Sequence, residues 1–158
     1  MRGIAAFAAA LALTGCAVYD VAPGTSREAL TQRLGQPQRV VRLPDGERLQ
    51  YSQQPAGQYA WMIDVDPQGR VVRARQVLNE ADFNRIQLDR WTRDDVEREF
   101  GRAAWVDSVA SWDGPIMTYR WKSADQDMFY WVYLDRSNVV RRAHPGMERK
   151  PEPNERWM

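Results

Sequence analysis

Cysteine and histidine each occur once in this 158-residue chain, at Cys16 and His144. A lone cysteine makes no internal disulfide, so the core must hold the fold together unaided. With one histidine and one cysteine, a zinc site or a nucleophile–base dyad also lacks its parts. Neither sign of charge is in excess. Residues 1–15 carry one of the 22 basic residues and none of the 21 acidic ones, so the remainder is neutral. That balance argues against a nucleic-acid partner, whose affinity comes mostly from surplus cations. Lysine is scarce, only Lys122 and Lys150, and arginine fills the other basic positions; that bias fits bidentate recognition of carboxylates or phosphates or, more simply, codon usage in a GC-rich genome. Nothing in the pattern of acidic residues marks a catalytic pair. The stretch Asp64-Val65-Asp66-Pro67-Gln68-Gly69 has the oxygens and glycine of a calcium loop, but its twelfth position is Arg75. A cation does not close a cation site, and the stretch reads as a strand-end turn. The sequence therefore predicts no catalytic residues, no metal, no cofactor and no enzyme.

Long apolar runs are missing too, apart from Ile4 to Leu13. Ten helical residues span about 15 Å, half of the ~30 Å a membrane crossing needs. Met1-Arg2-Gly3, the apolar run and the small residues after it match a secretory signal over residues 1–15. Leu13-Thr14-Gly15-Cys16 resembles the lipobox of bacterial lipoproteins. The resemblance implies diacylglycerol on the Cys16 sulfur and cleavage just before it; the alternative is a small buried side chain in an uncleaved helix. Two or three acyl chains make such attachment close to permanent. Residues 16–23 would then be the lipidated N-terminus and linker, and resemblance to lipoproteins of two-membrane bacteria implies that Ala17, in place of aspartate, favours the outer membrane, on its periplasmic side.

The rest of the chain repeats itself. SREALTQRLG (26–35) and TRDDVEREFG (92–101) each carry an N-cap hydroxyl, apolar residues at i and i+4, and a helix-ending glycine. Each is followed by β-rich segments flanking Asp45-Gly46 or Asp113-Gly114, a hairpin signal. YAWMIDVD with RVVRAR then matches MFYWVYLD with VVRRA. Between the units, Asn79 caps a further short helix carrying Phe83 and Ile86 on one face. The expected architecture is α+β: two tandem repeats, residues 24–78 and 79–144, each of one or two short helices packed on an antiparallel three- to four-stranded sheet. Residues 145–158, alternating proline and charge, read as a loose tail with Trp157 near its end.

Phe83-x-x-Ile86 ahead of Trp91-Thr92-Arg93-Asp94-Asp95-Val96-x-x-x-Phe100-Gly101, with Tyr119 and Asp135 beyond, is similar to the SmpA/OmlA/BamE lipoprotein domain. The first unit keeps more of that pattern: Gly24-Thr25-Ser26, Leu34-Gly35-Gln36-Pro37, Tyr51 and Asp66-x-x-Gly69-Arg70-Val71. The second has Arg90 and Ala103 where Gly24 and Pro37 stand. The doubled unit also resembles the β-lactamase-inhibitor-protein architecture. These likenesses imply a fold more than a task. They point to a membrane-tethered protein-interaction module with an envelope protein as partner, in or near outer-membrane protein assembly or envelope integrity. The rival reading is an inhibitor-like protein that captures a periplasmic enzyme on its sheet face.

Strand alternation singles out a candidate surface. Tyr59, Trp61, Ile63 and Val65 match Met128, Tyr130, Val132 and Leu134, the face expected against a helix. The opposite face is Ala60, Met62 and Asp64 in the first unit but Phe129, Trp131 and Tyr133 in the second. Either another part of the chain covers these three aromatics or a partner does. Trp112 and Trp121 on neighbouring strands are candidates to extend that surface.

Overall fold

The computed structural model describes residues 21–149, so Cys16 and Trp157 lie outside the described residues. Two eight-residue helices form where capping chemistry starts and glycine stops them. In α1 (Arg27–Leu34) the Ser26 hydroxyl accepts from the Ala29 amide at 3.2 Å, and in α3 (Arg93–Phe100) Thr92 and Asp95 close a reciprocal capping box. Gly35 and Gly101, both at φ 79°, end them in a conformation that favours glycine. The short α2 (Glu80–Phe83) starts at Asn79, whose side chain accepts from the Asp82 amide.

Two four-stranded antiparallel sheets follow sequence order. The first is β1 (Arg39–Leu43), β2 (Gly46–Ser52), β3 (Ala60–Val65) and β4 (Val71–Gln76). The second is β5 (Trp105–Asp107), β6 (Ile116–Ser123), β7 (Gln126–Leu134) and β8 (Val140–Met147). The α+β class and the two sheet-based units match the expectation.

Three details differ from it. The Asp-Gly glycines are not turn centres. A Cβ on Gly46 would lie 1.9 Å from the Val65 carbonyl oxygen, and one on Gly114 would lie 2.1 Å from that of Leu134, so each glycine permits close approach to the end of a neighbouring strand. The strand expected to run to Trp112 stops at Asp107, because the Trp112 indole N–H donates to the Leu134 carbonyl at 2.7 Å and draws the loop over the sheet. The chain beyond residue 144 does not leave the fold at once either: β8 continues through Pro145, Gly146 and Met147. Proline is tolerated there because β8 is an edge strand, where a missing N–H costs no ladder bond.

The layers stack unequally. One face of the first sheet packs Leu49, Tyr51, Ile63 and Val65 against Leu30 of α1. Its other face, with Ala60 and Met62, joins a larger core containing Phe83, Val96, Phe100, Tyr119, Trp121, Tyr130 and Val132. The helices α2 and α3 thus lie between the two sheets. Phe83 is fully buried at the centre, stacked on Tyr130 at 4.0 Å and edge-on to Trp121 at 5.7 Å. Among the described residues, the first sheet is covered on both faces and the second on one.

Candidate docking surface

Alternation along β7 sends Tyr130, Val132 and Leu134 into the core and Phe129, Trp131 and Tyr133 to the far side of the second sheet. Cross-strand register brings further residues to that side. Trp131 aligns with Thr118, which pairs with Trp105, and with His144; Tyr133 aligns with Ile116 and Arg142; Phe129 aligns with Arg120 and Gly146. The rings touch in series: Trp105 to Phe129 at 5.4 Å, Phe129 to Trp131 at 5.8 Å, Trp131 to His144 at 5.3 Å, His144 to Tyr133 at 5.3 Å and Tyr133 to Trp112 at 5.2 Å. Each such pair adds about 0.5–1.5 kcal/mol beyond area burial, which holds the rings against the sheet.

Phe129, Trp131 and Tyr133 are half-buried and belong to neither core cluster, and Trp105 is 37% exposed. Among the described residues, contacts with one another, with His144 and with Arg142 cover part of their surface. Of the two residues expected to extend the surface, the structure brings in one. Trp112 reaches it from the loop before β6. Trp121 does not: it lies two positions from Tyr119, shares its inward face, and is buried in the core at 4% exposure.

Sequence reasoning missed Trp105, Arg142 and His144. The guanidinium of Arg142 sits 3.8 Å from the Tyr133 ring centroid and 5.3 Å from that of Trp112, a cation–π arrangement. Only strand pairing places it there; the signal in the sequence was its matching position in the second unit, RVVRAR against VVRRA.

Comparison with known proteins adds little to this geometry. No family model matches the chain, and no curated protein matches it. Among solved structures it is similar to a DUF4309 family protein (YjgB) from Bacillus subtilis, at 12% identity over 78% of this chain and 79% of that one, with a TM-score of 0.32.

A second polar feature joins the two units. Arg48, 4% exposed, donates to both carboxylate oxygens of Asp64 at 2.7 and 3.1 Å, to Glu99 at 2.9 Å and to the Arg98 carbonyl at 3.2 Å. Gln50 donates to the Glu97 and Arg98 carbonyls at 2.9 and 3.1 Å. The first sheet thereby satisfies the Arg98 carbonyl in the last turn of α3 and adds a second bond to that of Glu97, which the Gly101 amide already reaches at 2.9 Å, with a cation at the negative end of the helix dipole. Burial pushes the Asp64 carboxyl up, but hydrogen bonds and charge from Arg48 and Arg73 outweigh it and hold the group below its usual range. Asp66 closes the strand-end turn, its Oδ1 accepting from the Gln68 and Arg70 amides at 3.0 and 2.8 Å. A hollow of about 220 Å³ lies beside this junction, lined by Gln38, Arg39, Gln50, Ser52, Gln54 and Arg102. The amides of Gln38, Gln50 and Gln54 are bonded to the protein itself.

Proposed function

We propose that the chain is a lipid-anchored protein-interaction module, tethered through Cys16 to the periplasmic side of the outer membrane, that docks an envelope protein on the aromatic face of its second sheet. One observation carries the reading: Trp105, Phe129, Trp131, Tyr133 and Trp112 share one sheet face outside both cores. Contiguous aromatic surface rimmed by polar groups is the composition of binding hot spots. The rings all come from the second unit, which favours a docking face of one sheet over an enzyme-capturing surface shared by two. The lipobox resemblance supports the tether.

The same reading takes the two units as copies of one ancestral helix-plus-sheet module. In support, the Tyr51 hydroxyl donates to the Gly35 carbonyl and the Tyr119 hydroxyl donates to that of Gly101, each tying a strand to the glycine that ends its helix. Divergence then fell on one face, where Ala60 and Met62 became an internal seam and Phe129 and Trp131 became surface.

The experiment is site-specific photocrosslinking in the native host. A crosslinking side chain in place of Trp131 is expected to give a discrete adduct that the same group at Val72, 55% exposed on the first sheet, does not give. It should be lost when Cys16→Ala releases the protein from the membrane fraction. Equal adducts from both positions, or none, would overturn the docking reading.

A further inference from the structure

We infer that the aromatic face takes a protein segment presenting a carboxylate among apolar side chains, with Arg142 as the charge it pairs with. This rests on the docking reading above and names the partner's chemistry. The cations on this side of the second sheet are not equivalent. Arg120 is bonded to Glu148 at 2.7 Å, and Lys122 lies 3.8 Å from Asp127. Arg142 is exposed, lies over the rings of Tyr133 and Trp112, and among the described residues forms no ion pair. In its own cross-strand row the acidic residue is Asp107, three strands away, or roughly 14 Å at the usual strand spacing. That is beyond pairing distance.

A guanidinium already oriented by stacking loses little freedom on meeting a carboxylate, and its fork matches one bidentately. The neighbouring rings supply the apolar contact. Their planes are turned against one another, by 82° between Trp105 and Phe129 and by 58° between Phe129 and Trp131. A strip of sugars stacks on rings facing the same way, so the uneven surface suits side chains that reach between rings.

The bilayer is a poor occupant for a different reason. Val21 packs into the core on the α1 side of the first sheet, and five residue steps from Cys16 reach at most about 18 Å. From that core to the aromatic face the chain stacks a sheet, the α2–α3 layer and the second sheet, roughly 30 Å at ordinary layer spacings. An acylated Cys16 therefore cannot lay this face flat on the membrane that holds it.

The test uses full-length acylated protein in detergent micelles against a displayed library of random 12-residue peptides. Enriched peptides are expected to carry Asp or Glu flanked by aliphatic or aromatic residues. The best synthetic peptide should bind Arg142→Glu about tenfold or more weakly, and exchanging its acid for lysine should restore binding to that variant. Enrichment without acidic residues, or binding indifferent to Arg142→Glu but lost in Trp131→Ala, overturns the carboxylate assignment and leaves the docking face standing. No enrichment at all, or binding indifferent to Trp131→Ala, overturns both. Competition by soluble glycan fragments would assign the face to a sugar and overturn the proposal as well.

Discussion

The side-chain amide of Gln54 bonds both backbone groups of Arg120, accepting from its N–H at 3.0 Å and donating to its C=O at 2.7 Å. Pairing of β6 with β5 ends at Thr118 and Trp105, so this stretch of β6 has no neighbouring strand on that side. An open strand edge is a template for unwanted pairing, and here one side chain from the first unit closes it. Within the first unit, Gln38 does the same for Ser52, accepting at 2.8 Å and donating at 3.1 Å. Gln38 and Ala104 occupy matching positions, each amide donating across to β2 or β6. The second unit has alanine there, and Gln54 supplies the missing amide across the junction. Gln54→Ala should destabilise the fold by about 1–3 kcal/mol, the cost of leaving such groups unpaired. Hydrogen exchange of the Arg120 amide should quicken selectively, and unchanged exchange would refute the edge role.

Arg48→Met removes the cation from the inter-unit seam and strands the Asp64 carboxylate, with Arg73 as its remaining ion-pair partner. Breaking a buried pair in this way costs about 3–5 kcal/mol, read by urea denaturation at neutral pH.

The same pair makes stability depend on acid. The Asp64 carboxyl ionises below its usual range in the folded protein. A group with a lowered folded pKa contributes stability that is complete above its unfolded value, about 4, and is lost as pH falls through the folded value. The wild-type protein should therefore lose stability on acidification from about pH 4 downward. Asp64→Asn should be weaker at neutral pH and show a shallower acid limb. Asp95, also lowered by hydrogen bonds and charge against burial, keeps that limb from vanishing. An unaltered limb would mean that Asp64 is not the group responsible.

The two tyrosine–glycine bonds offer a matched comparison. Tyr119 is fully buried and Tyr51 is 8% exposed, with hydroxyls donating at 2.8 and 3.0 Å. Burial drives the Tyr119 hydroxyl well above its usual pKa, so it remains a donor throughout the physiological range. Tyr119→Phe leaves the Gly101 carbonyl without this bond in a dry site and should cost about 1–3 kcal/mol, whereas water partly replaces the lost bond in Tyr51→Phe. Thermal melts of the two variants would show equal losses if burial were not the deciding factor.

How much of this was legible in the sequence follows the range of the interactions. Helix limits were readable because Ser26, Thr92, Gly35 and Gly101 act on residues three or four positions away. That Phe129, Trp131 and Tyr133 share the face opposite Tyr130 and Val132 was readable because alternation is local; what covers that face was not. The seam was not. Arg48 and Gln50 look like ordinary solvent-facing strand residues until α3, some 47 to 51 positions later, lies on them. Trp121 and Trp105 were equally aromatic and equally β-rich in context; register alone sends one inward and the other out. His144 read as the last residue before a tail because Pro145 and Gly146 follow it, and both are tolerated where they stand: Pro145 on an edge strand, and Gly146 beneath a ring.

That ring is Trp131. A Cβ on Gly146 would lie 2.3 Å from its Cζ3 and 2.6 Å from its Cη2, closer than any real contact, so Gly146→Ala must lift the indole off β8. The displaced atoms belong to neither core cluster, so the cost should be that of an off-rotamer side chain, about 0.5–1.5 kcal/mol. The signature is coupling. In a Trp131→Ala background the same glycine substitution has nothing to strike and should cost close to nothing, giving a clear interaction energy in the double-mutant cycle. Acrylamide quenching should increase for Gly146→Ala alone, because an indole lifted from the sheet meets solvent. If the two substitutions add independently and quenching stays unchanged, Trp131 does not lie across Gly146, and the ordered aromatic face on which docking depends is not there.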